Sequence, residues 1–186
     1  MRVVVWVVEG TWRGCIDAAA QNLPRDAPVS LLHVTPSDVS EVTEAATAGL
    51  LGRAFPRRKT PRLLDEVTDQ AALELLAAAA TRLGREDAEL IHLRGRAQHH
   101  VVAAAAHDVD LLVVARDGDR SRLGPHSLGP ATRFVVDHAP CSVLLVWPDE
   151  PPGLESIPPP PRPGSAPPAP PARPGPAKEH GPGPRR

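Results

Sequence analysis

The chain has 186 residues, 24 of them proline, and a formal net charge of −1 at pH 7. Sixteen prolines fall in the last 39 residues, from Pro148 onward, so the first 147 residues and the remainder are considered separately. A length of 147 residues suits one compact domain and excludes two large ones, and the near-zero charge gives no reason to expect a nucleic-acid partner or a basic membrane-binding face.

The cysteines and the N-terminal run bear on the cellular compartment. Cys15 and Cys141 are far apart and lack CxxC spacing, which argues against a disulfide framework or a zinc knuckle. The apolar run from Met1 to Val8 is shorter than a membrane span or a usual secretion signal. We therefore expect a cytoplasmic protein without a membrane anchor.

The N-terminal third predicts a strand, a helix and a second strand. Arg2–Val8 (RVVVWVV) is a continuous β-branched run, typical of a parallel strand buried on both faces. Thr11–Leu23 carries apolar residues at helical spacing and stops before Pro24, and Pro28–Val34 is a second apolar strand. These segments form one βαβ unit.

The segment between Thr35 and Thr60 is less regular. Ser37–Leu51 fits a helix and Phe55–Lys59 an exposed loop. A helix from Thr60 to Gly84 is indicated more strongly, because Thr60 suits an N-cap and Pro61 the first helical position. The spacing predicts that its buried face comprises Leu64, Val67, Ala71, Leu75 and Ala78.

Strands and helices then alternate to the end of the domain. The predicted elements are strand Ala88–Leu93, helix Ala97–His107, strand Asp110–Ala115, a glycine-bearing loop, helix Ala131–His138 and strand Ser142–Trp147. Alternation of this kind predicts an α/β fold with a parallel sheet and helices on both faces. Ligands bind such sheets beyond the carboxyl ends of the strands, so the loops after the first and fourth strands form the candidate site.

Residues 148–186 are rich in proline and glycine and have few large apolar side chains. Such a segment cannot repay the entropy of ordering, so we predict a disordered tail after a domain of residues 1–147. PxxP spacings occur in the tail, but they arise freely at this proline density. A linker or solubilising role is favoured over a docking peptide for a protein partner.

Two stretches resemble a known family. DLLVVARDG (Asp110–Gly118) and LGPATRFVVDHAPCSVLLV (Leu128–Val146) resemble the fourth strand, nucleotide loop, last helix and last strand of universal stress proteins. The resemblance covers residues 1–147 and implies a single Rossmann-like domain of the adenine nucleotide alpha hydrolase type. It implies a five-stranded parallel sheet in the order 3-2-1-4-5, and an adenine nucleotide bound by a loop of the form G-2x-G-9x-G-[S/T].

The nucleotide-site positions implied by the resemblance are Glu9, Val34, Ala115, Gly118, Gly129 and Pro130. They depart from the family motif: Ala115 replaces the first glycine, ten residues instead of nine precede Gly129, Pro130 replaces the hydroxyl residue, and Glu9 replaces an aspartate. Backbone N–H groups and a hydroxyl at a helix N-terminus bind phosphate, and proline supplies neither. We therefore expect weak or absent ATP binding and no other cofactor.

Other candidate sites are less favoured. The histidines 99, 100 and 107 with Asp108 lack the spacing of a metal site and are interpreted as a solvated helix end. Cys141 is interpreted as a small core residue, and Arg116, Arg120 and Arg122, which could attract phosphate, as solvated loop residues. Neither a G-x-S-x-G motif nor a Walker A loop is present, so no catalytic group is predicted.

The resemblance implies a regulatory or protective protein of the stress response that is not an enzyme. A nucleotide sensor with slow ATP hydrolysis stays open as an alternative, as does a scaffold in which the tail is the active part. In the implied strand order the last strand lies at a sheet edge although it is apolar throughout, and universal stress domains pair through this strand. We therefore predict a homodimer through Ser142–Trp147.

Overall fold

The structure is a computed structural model that describes residues 1–36, 60–157 and 159. Its core is one parallel sheet of five strands in the order β3-β2-β1-β4-β5, which confirms the predicted fold class and strand order. The strands are β1 (Val3–Trp6), β2 (Val29–Thr35), β3 (Glu89–Arg94), β4 (Leu111–Ala115) and β5 (Ser142–Val146). The helix predicted over residues 37–51 and the loop predicted over 55–59 lie outside the described residues.

Helices cover both faces of the sheet. They are α1 (Trp12–Asn22), α2 (Thr60–Leu83), α3 (Ala97–Ala105) and α4 (Pro130–His138). On one face, Ile16 of α1 and Leu76 of α2 pack in a cluster with the odd-numbered residues of β1. On the other, Val101 of α3 and Val135 of α4 pack with the even-numbered ones. The β-branched run of β1 is thus buried on both sides, as predicted. No helix among the described residues is long and apolar enough to cross a membrane.

The buried face of α2 differs from the prediction. Ala72, Leu76 and Ala79 are buried, whereas Val67 is 67% exposed. Ala71 and Ala78, also assigned to the core, are exposed, and Leu75 is half-buried. The helix is alanine-rich around most of its circumference, so its apolar periodicity does not fix its rotation about its axis. Packing against β2 and β3 selects the rotation instead.

The two edges of the sheet differ in chemistry. At the β3 edge, Glu89 accepts a hydrogen bond from Ser30 Oγ at 2.7 Å, and Arg94 donates to Asp69 of α2 at 2.9 Å. At the other edge, β5 presents the half-buried apolar run Val143–Val146. The apolar last strand therefore lies at an edge, as the sequence predicts, and pairing of two copies through it stays a prediction.

Residues 148–157 were assigned to the disordered tail by composition, yet they contact the domain. Asp149 pairs with Arg120, and a 3-10 turn over Leu154–Ser156 brings Ser156 to the backbone of Leu123. The contacts are few, and composition carries no signal for them. The domain boundary at 147 and a disordered tail after it stay predictions.

Candidate functional site

The candidate site lies where β1 and β4, which are neighbours in the sheet, both end. After β1, Glu9 and Gly10 are exposed, and Gly10 adopts the left-handed conformation with φ 83°. The amides of Thr11 and Trp12 donate to the carbonyl of Val8 at 3.1 and 3.0 Å, which turns the chain into α1. Of the predicted site residues, Glu9 therefore lies in solvent beside the first turn of α1.

Val34 and Ala115 are core residues. Val34 is 5% exposed and packs in the cluster beneath α3 and α4, and Ala115 is 7% exposed at the end of β4. The Ala115 carbonyl accepts a hydrogen bond from the buried Thr132 hydroxyl of α4 at 3.4 Å. Both positions serve packing here, and their predicted contact with a nucleotide stays a prediction.

The loop after β4 folds back on itself. The amide of Gly118 donates to the Ser127 carbonyl at 2.9 Å, and that of Asp119 donates to the His126 carbonyl at 2.8 Å. A Cβ on Gly118 would lie 2.4 Å from the His126 oxygen, so only glycine allows this approach. The glycine that the motif assigns to phosphate contact thus lets two parts of the same loop meet.

Asp117 occupies the position of an anion at the start of α4. Its Oδ1 accepts a hydrogen bond from the Gly129 amide at 2.8 Å, and Gly129 is the N-cap residue of α4, followed by Pro130. A Cβ on Gly129 would lie 2.8 Å from the same oxygen, so the carboxylate is held close to the backbone. A negative charge here interacts favourably with the helix dipole. The amide expected to meet phosphate therefore already has an anionic acceptor within the chain.

Two of the loop arginines, Arg120 and Arg122, are exposed to solvent as interpreted, and each is also paired with a carboxylate. Arg120 Nη1 lies 2.6 Å from Asp149 Oδ2, and Arg122 Nε lies 2.9 Å from Asp119 Oδ2. Hydrogen bonds from Ser121, with a smaller contribution from Arg122, lower the pKa of the Asp119 carboxyl. Arg120 and Arg122 are thus each engaged by a carboxylate.

Arg116 is the half-buried arginine of this loop. Its guanidinium lies 4.9 Å from the ring centroid of Trp147, a cation–π contact, and it donates to Ser127 Oγ. Its Nε is buried and finds no acceptor among the described residues. Arg116 therefore ties the end of β5 to the loop after β4.

Two histidines form a polar cluster at the ends of β2 and β3. Their rings stack with centroids 6.0 Å apart; His33 Nδ1 donates to the Val7 carbonyl at 2.8 Å, and His92 Nε2 lies 2.9 Å from Thr35 Oγ1. His92 Nδ1 also lies 3.6 Å from Asp69 Oδ1. Burial lowers the pKa of His92 below its usual 6.5, despite the opposing effect of Asp69. Sequence analysis missed this cluster, because only strand pairing brings residues 33 and 92 together.

The other candidate groups do not converge on a site. The ring of His99 lies against that of Phe134, with the centroids 5.2 Å apart. Burial raises the pKa of the Cys141 thiol. Cys15 is fully buried, and burial raises its pKa to about 12. Within residues 1–36 and 60–157, no three histidine, cysteine or carboxylate side chains lie close enough to share a metal ion. Two surface cavities, of about 490 and 470 Å³, lie on the outer side of α4 and at the amino ends of the strands.

Asp117 is the residue at the candidate site that sequence analysis missed. Its partner, Gly129, follows it by twelve positions, and only the folded loop brings the two together. A carboxylate in a loop before a helix is common in any sequence and does not by itself indicate a cap.

Comparison with known proteins identifies the fold and the family. The sequence profile of the universal stress protein family matches residues 13–146. Among solved structures, the protein MJ0577 is 18% identical with a TM-score of 0.57, covering 78% of this chain and 94% of its own. A universal stress protein in complex with cAMP is 19% identical with a TM-score of 0.51, covering 80% and 98%. The universal stress protein from Archaeoglobus fulgidus is 22% identical with a TM-score of 0.50, covering 78% and 98%. No curated protein matches this chain.

Proposed function

This chain belongs to the universal stress protein family, and we propose that it is a regulatory or protective protein of the stress response whose ATP binding is reduced or absent. The observation that carries this proposal is the hydrogen bond from the Gly129 amide to the Asp117 carboxylate at 2.8 Å. A phosphate entering at the start of α4 must displace a carboxylate already bound there. Pro130, the next residue, offers no amide in compensation.

The pairing of the loop arginines supports the same proposal. Arginine, lysine and backbone N–H groups give a bound triphosphate charge stabilisation through charge-assisted hydrogen bonds. Arg120 and Arg122 would have to leave Asp149 and Asp119 to provide it. Since a triphosphate would also approach the carboxylate of Asp117, repulsion between the two negative charges opposes its binding at the start of α4.

We propose that the protein is cytoplasmic and is not an enzyme.

Two measurements test this proposal. Protein purified without added nucleotide is denatured, and the supernatant is analysed for adenine nucleotide by absorbance and chromatography. The native protein is then titrated with Mg²⁺ and ATP by calorimetry. We expect no stoichiometric nucleotide and weak or undetectable heat of binding. Binding with a dissociation constant in the low micromolar range would contradict the proposal.

A second candidate function is nucleotide sensing. It is favoured by the structural neighbour in complex with cAMP, because a cyclic monophosphate carries less charge than ATP and needs fewer phosphate donors. Gly118 and Gly129 retain two of the family's loop positions. Titration with cAMP beside ATP, and a long-incubation assay for ATP hydrolysis, distinguish the sensor from the nucleotide-independent protein.

We also propose that two copies pair through β5. The run Val143–Val146 is half-buried, and no strand among the described residues pairs with its outer backbone N–H and C=O groups. A second β5 related by a two-fold axis would satisfy these groups and cover the apolar side chains.

Recruitment of a protein partner by the proline-rich tail is a third role, which assays of the domain alone would not reveal.

A further inference from the structure

The segment that leaves β5 contacts structures on both sides of the candidate site. Pro148 packs against the first turn of α1, where a Cβ on Gly14 would lie 2.6 Å from the Pro148 Cα and 2.7 Å from its carbonyl oxygen. The preceding Trp147 carries the guanidinium of Arg116, from the loop after β4. Two consecutive residues therefore contact the two sides of the site, Trp147 the β4 side and Pro148 the α1 side.

The next residues fasten this segment to the loop that carries Asp117. The carboxylate of Asp149 pairs with Arg120 at 2.6 Å, and the hydroxyl of Ser156 accepts a hydrogen bond from the Leu123 amide at 3.1 Å. These two contacts lie three residues apart in the loop and seven apart in the segment. Because both contacts join the loop to this segment, the loop cannot move relative to the segment without breaking at least one of them.

We propose that residues 148–156 form an intramolecular latch, which holds the loop after β4 closed over the start of α4 and so keeps adenine nucleotide out. This inference rests on the proposed function, because it supplies a cause for weak ATP binding. The latch keeps the Asp117 carboxylate at the Gly129 amide and engages Arg120, a candidate phosphate partner. Opening it frees the arginine and lets the loop withdraw the carboxylate.

The contacts are weak enough for the latch to open. Arg120 and Asp149 are 42% and 73% exposed, so solvent screens their attraction. An exposed ion pair changes an equilibrium constant by about 1.5-fold to fivefold, and a neutral hydrogen bond by about twofold to tenfold. The apparent affinity of a ligand is reduced by the fraction of protein in the competent state. Removing both contacts should therefore raise the affinity for ATP by about threefold to fiftyfold.

The test uses the full chain and the double variant Asp149→Asn/Ser156→Ala. Its matched control is Glu150→Gln, which makes the same charge change next to Asp149, at a residue with no polar contact in the described part of the chain. Each protein is titrated with Mg²⁺ and ATP by calorimetry. Hydrogen exchange of residues 116–128, followed by mass spectrometry, reports whether the loop opens. We expect faster exchange and tighter binding in the double variant alone.

The outcomes separate the latch from the proposed function. Faster exchange without a gain in affinity would overturn the latch, as would unchanged exchange, or no measurable binding in any variant; each leaves weak native ATP binding intact. Low-micromolar binding by the native protein would instead overturn the proposed function. The latch is judged by the ratio of variant to native affinity, and the proposed function by the native affinity itself.

Discussion

Replacing Asp117 with alanine should lower the stability of the protein and create an anion site. The substitution removes a side-chain cap of the Gly129 amide, whose loss costs about 0.5–2 kcal/mol in other helices, and a favourable charge at a helix N-terminus, which contributes about 0.3–1 kcal/mol. Because Asp117 is exposed, solvent screens the charge, and we expect a total of about 1–2 kcal/mol. For a domain of this size that loss lowers the melting temperature by about 2–8 °C.

Thermal melts followed by circular dichroism measure this loss, and two further variants identify its cause. Asp117→Asn keeps an acceptor oxygen and removes the charge, so its loss should be smaller. Asp137→Ala makes the same charge change in the last turn of α4, where a carboxylate opposes the helix dipole, so its melting temperature should not fall. Added sulfate should stabilise Asp117→Ala more than the native protein, because the Gly129 amide is then free.

Equal melting temperatures for native protein and Asp117→Ala would refute this reasoning. So would a sulfate response that is the same in both proteins. In either case the carboxylate would not be the group that fills the start of α4, and the weak ATP binding proposed above would lose its main support.

Three other measurements bear on the site, the edge and the histidine cluster. Adding Pro130→Ser to Asp117→Ala should strengthen ATP binding about tenfold to hundredfold by calorimetry, since a charge-assisted hydrogen bond is recovered; no gain would show that the missing donor is not limiting. Leu145→Lys should convert a dimer to a folded monomer in light scattering, whereas Leu90→Lys, on the opposite edge of the sheet, should not. A native protein that is monomeric at roughly tens of micromolar would remove the pairing hypothesis. Because folding lowers the pKa of His92, the unfolded chain binds more protons than the folded one below about pH 6.5. The contribution of neutral His92 to the free energy of unfolding is therefore present above that pH and is lost as the pH falls below it. The free energy of unfolding of His92→Gln should depend less on pH below about 6.5, and an unchanged pH dependence would contradict this.

The fold was predictable because buried parallel strands leave a strong pattern. β1 is a continuous apolar run, and Pro130 marks the start of α4. The rotation of α2 was not predictable, because alanines on several sides give similar periodicity for more than one face. Val67 was assigned to the core and is exposed for this reason.

The candidate site was predictable in position but not in content. The motif led to Gly118 and Gly129, yet what these glycines contact depends on how the loop folds. The Asp117 cap and the contacts of Asp149 and Ser156 each join residues that are distant in sequence and are made by single polar groups. Such contacts leave no periodicity or composition for sequence analysis to detect.

The difference between the two sheet edges has a consequence for how large an assembly can grow. If both edges could template a strand, successive copies would add without limit and build a fibre. At the β3 edge, however, Glu89 and Arg94 bring charge to the outermost strand, and Arg94 is tied back to α2 through Asp69. Charged side chains of this kind discourage a further strand from adding. Association through β5 would cover the apolar edge that the described residues of each copy present, so growth would stop at two.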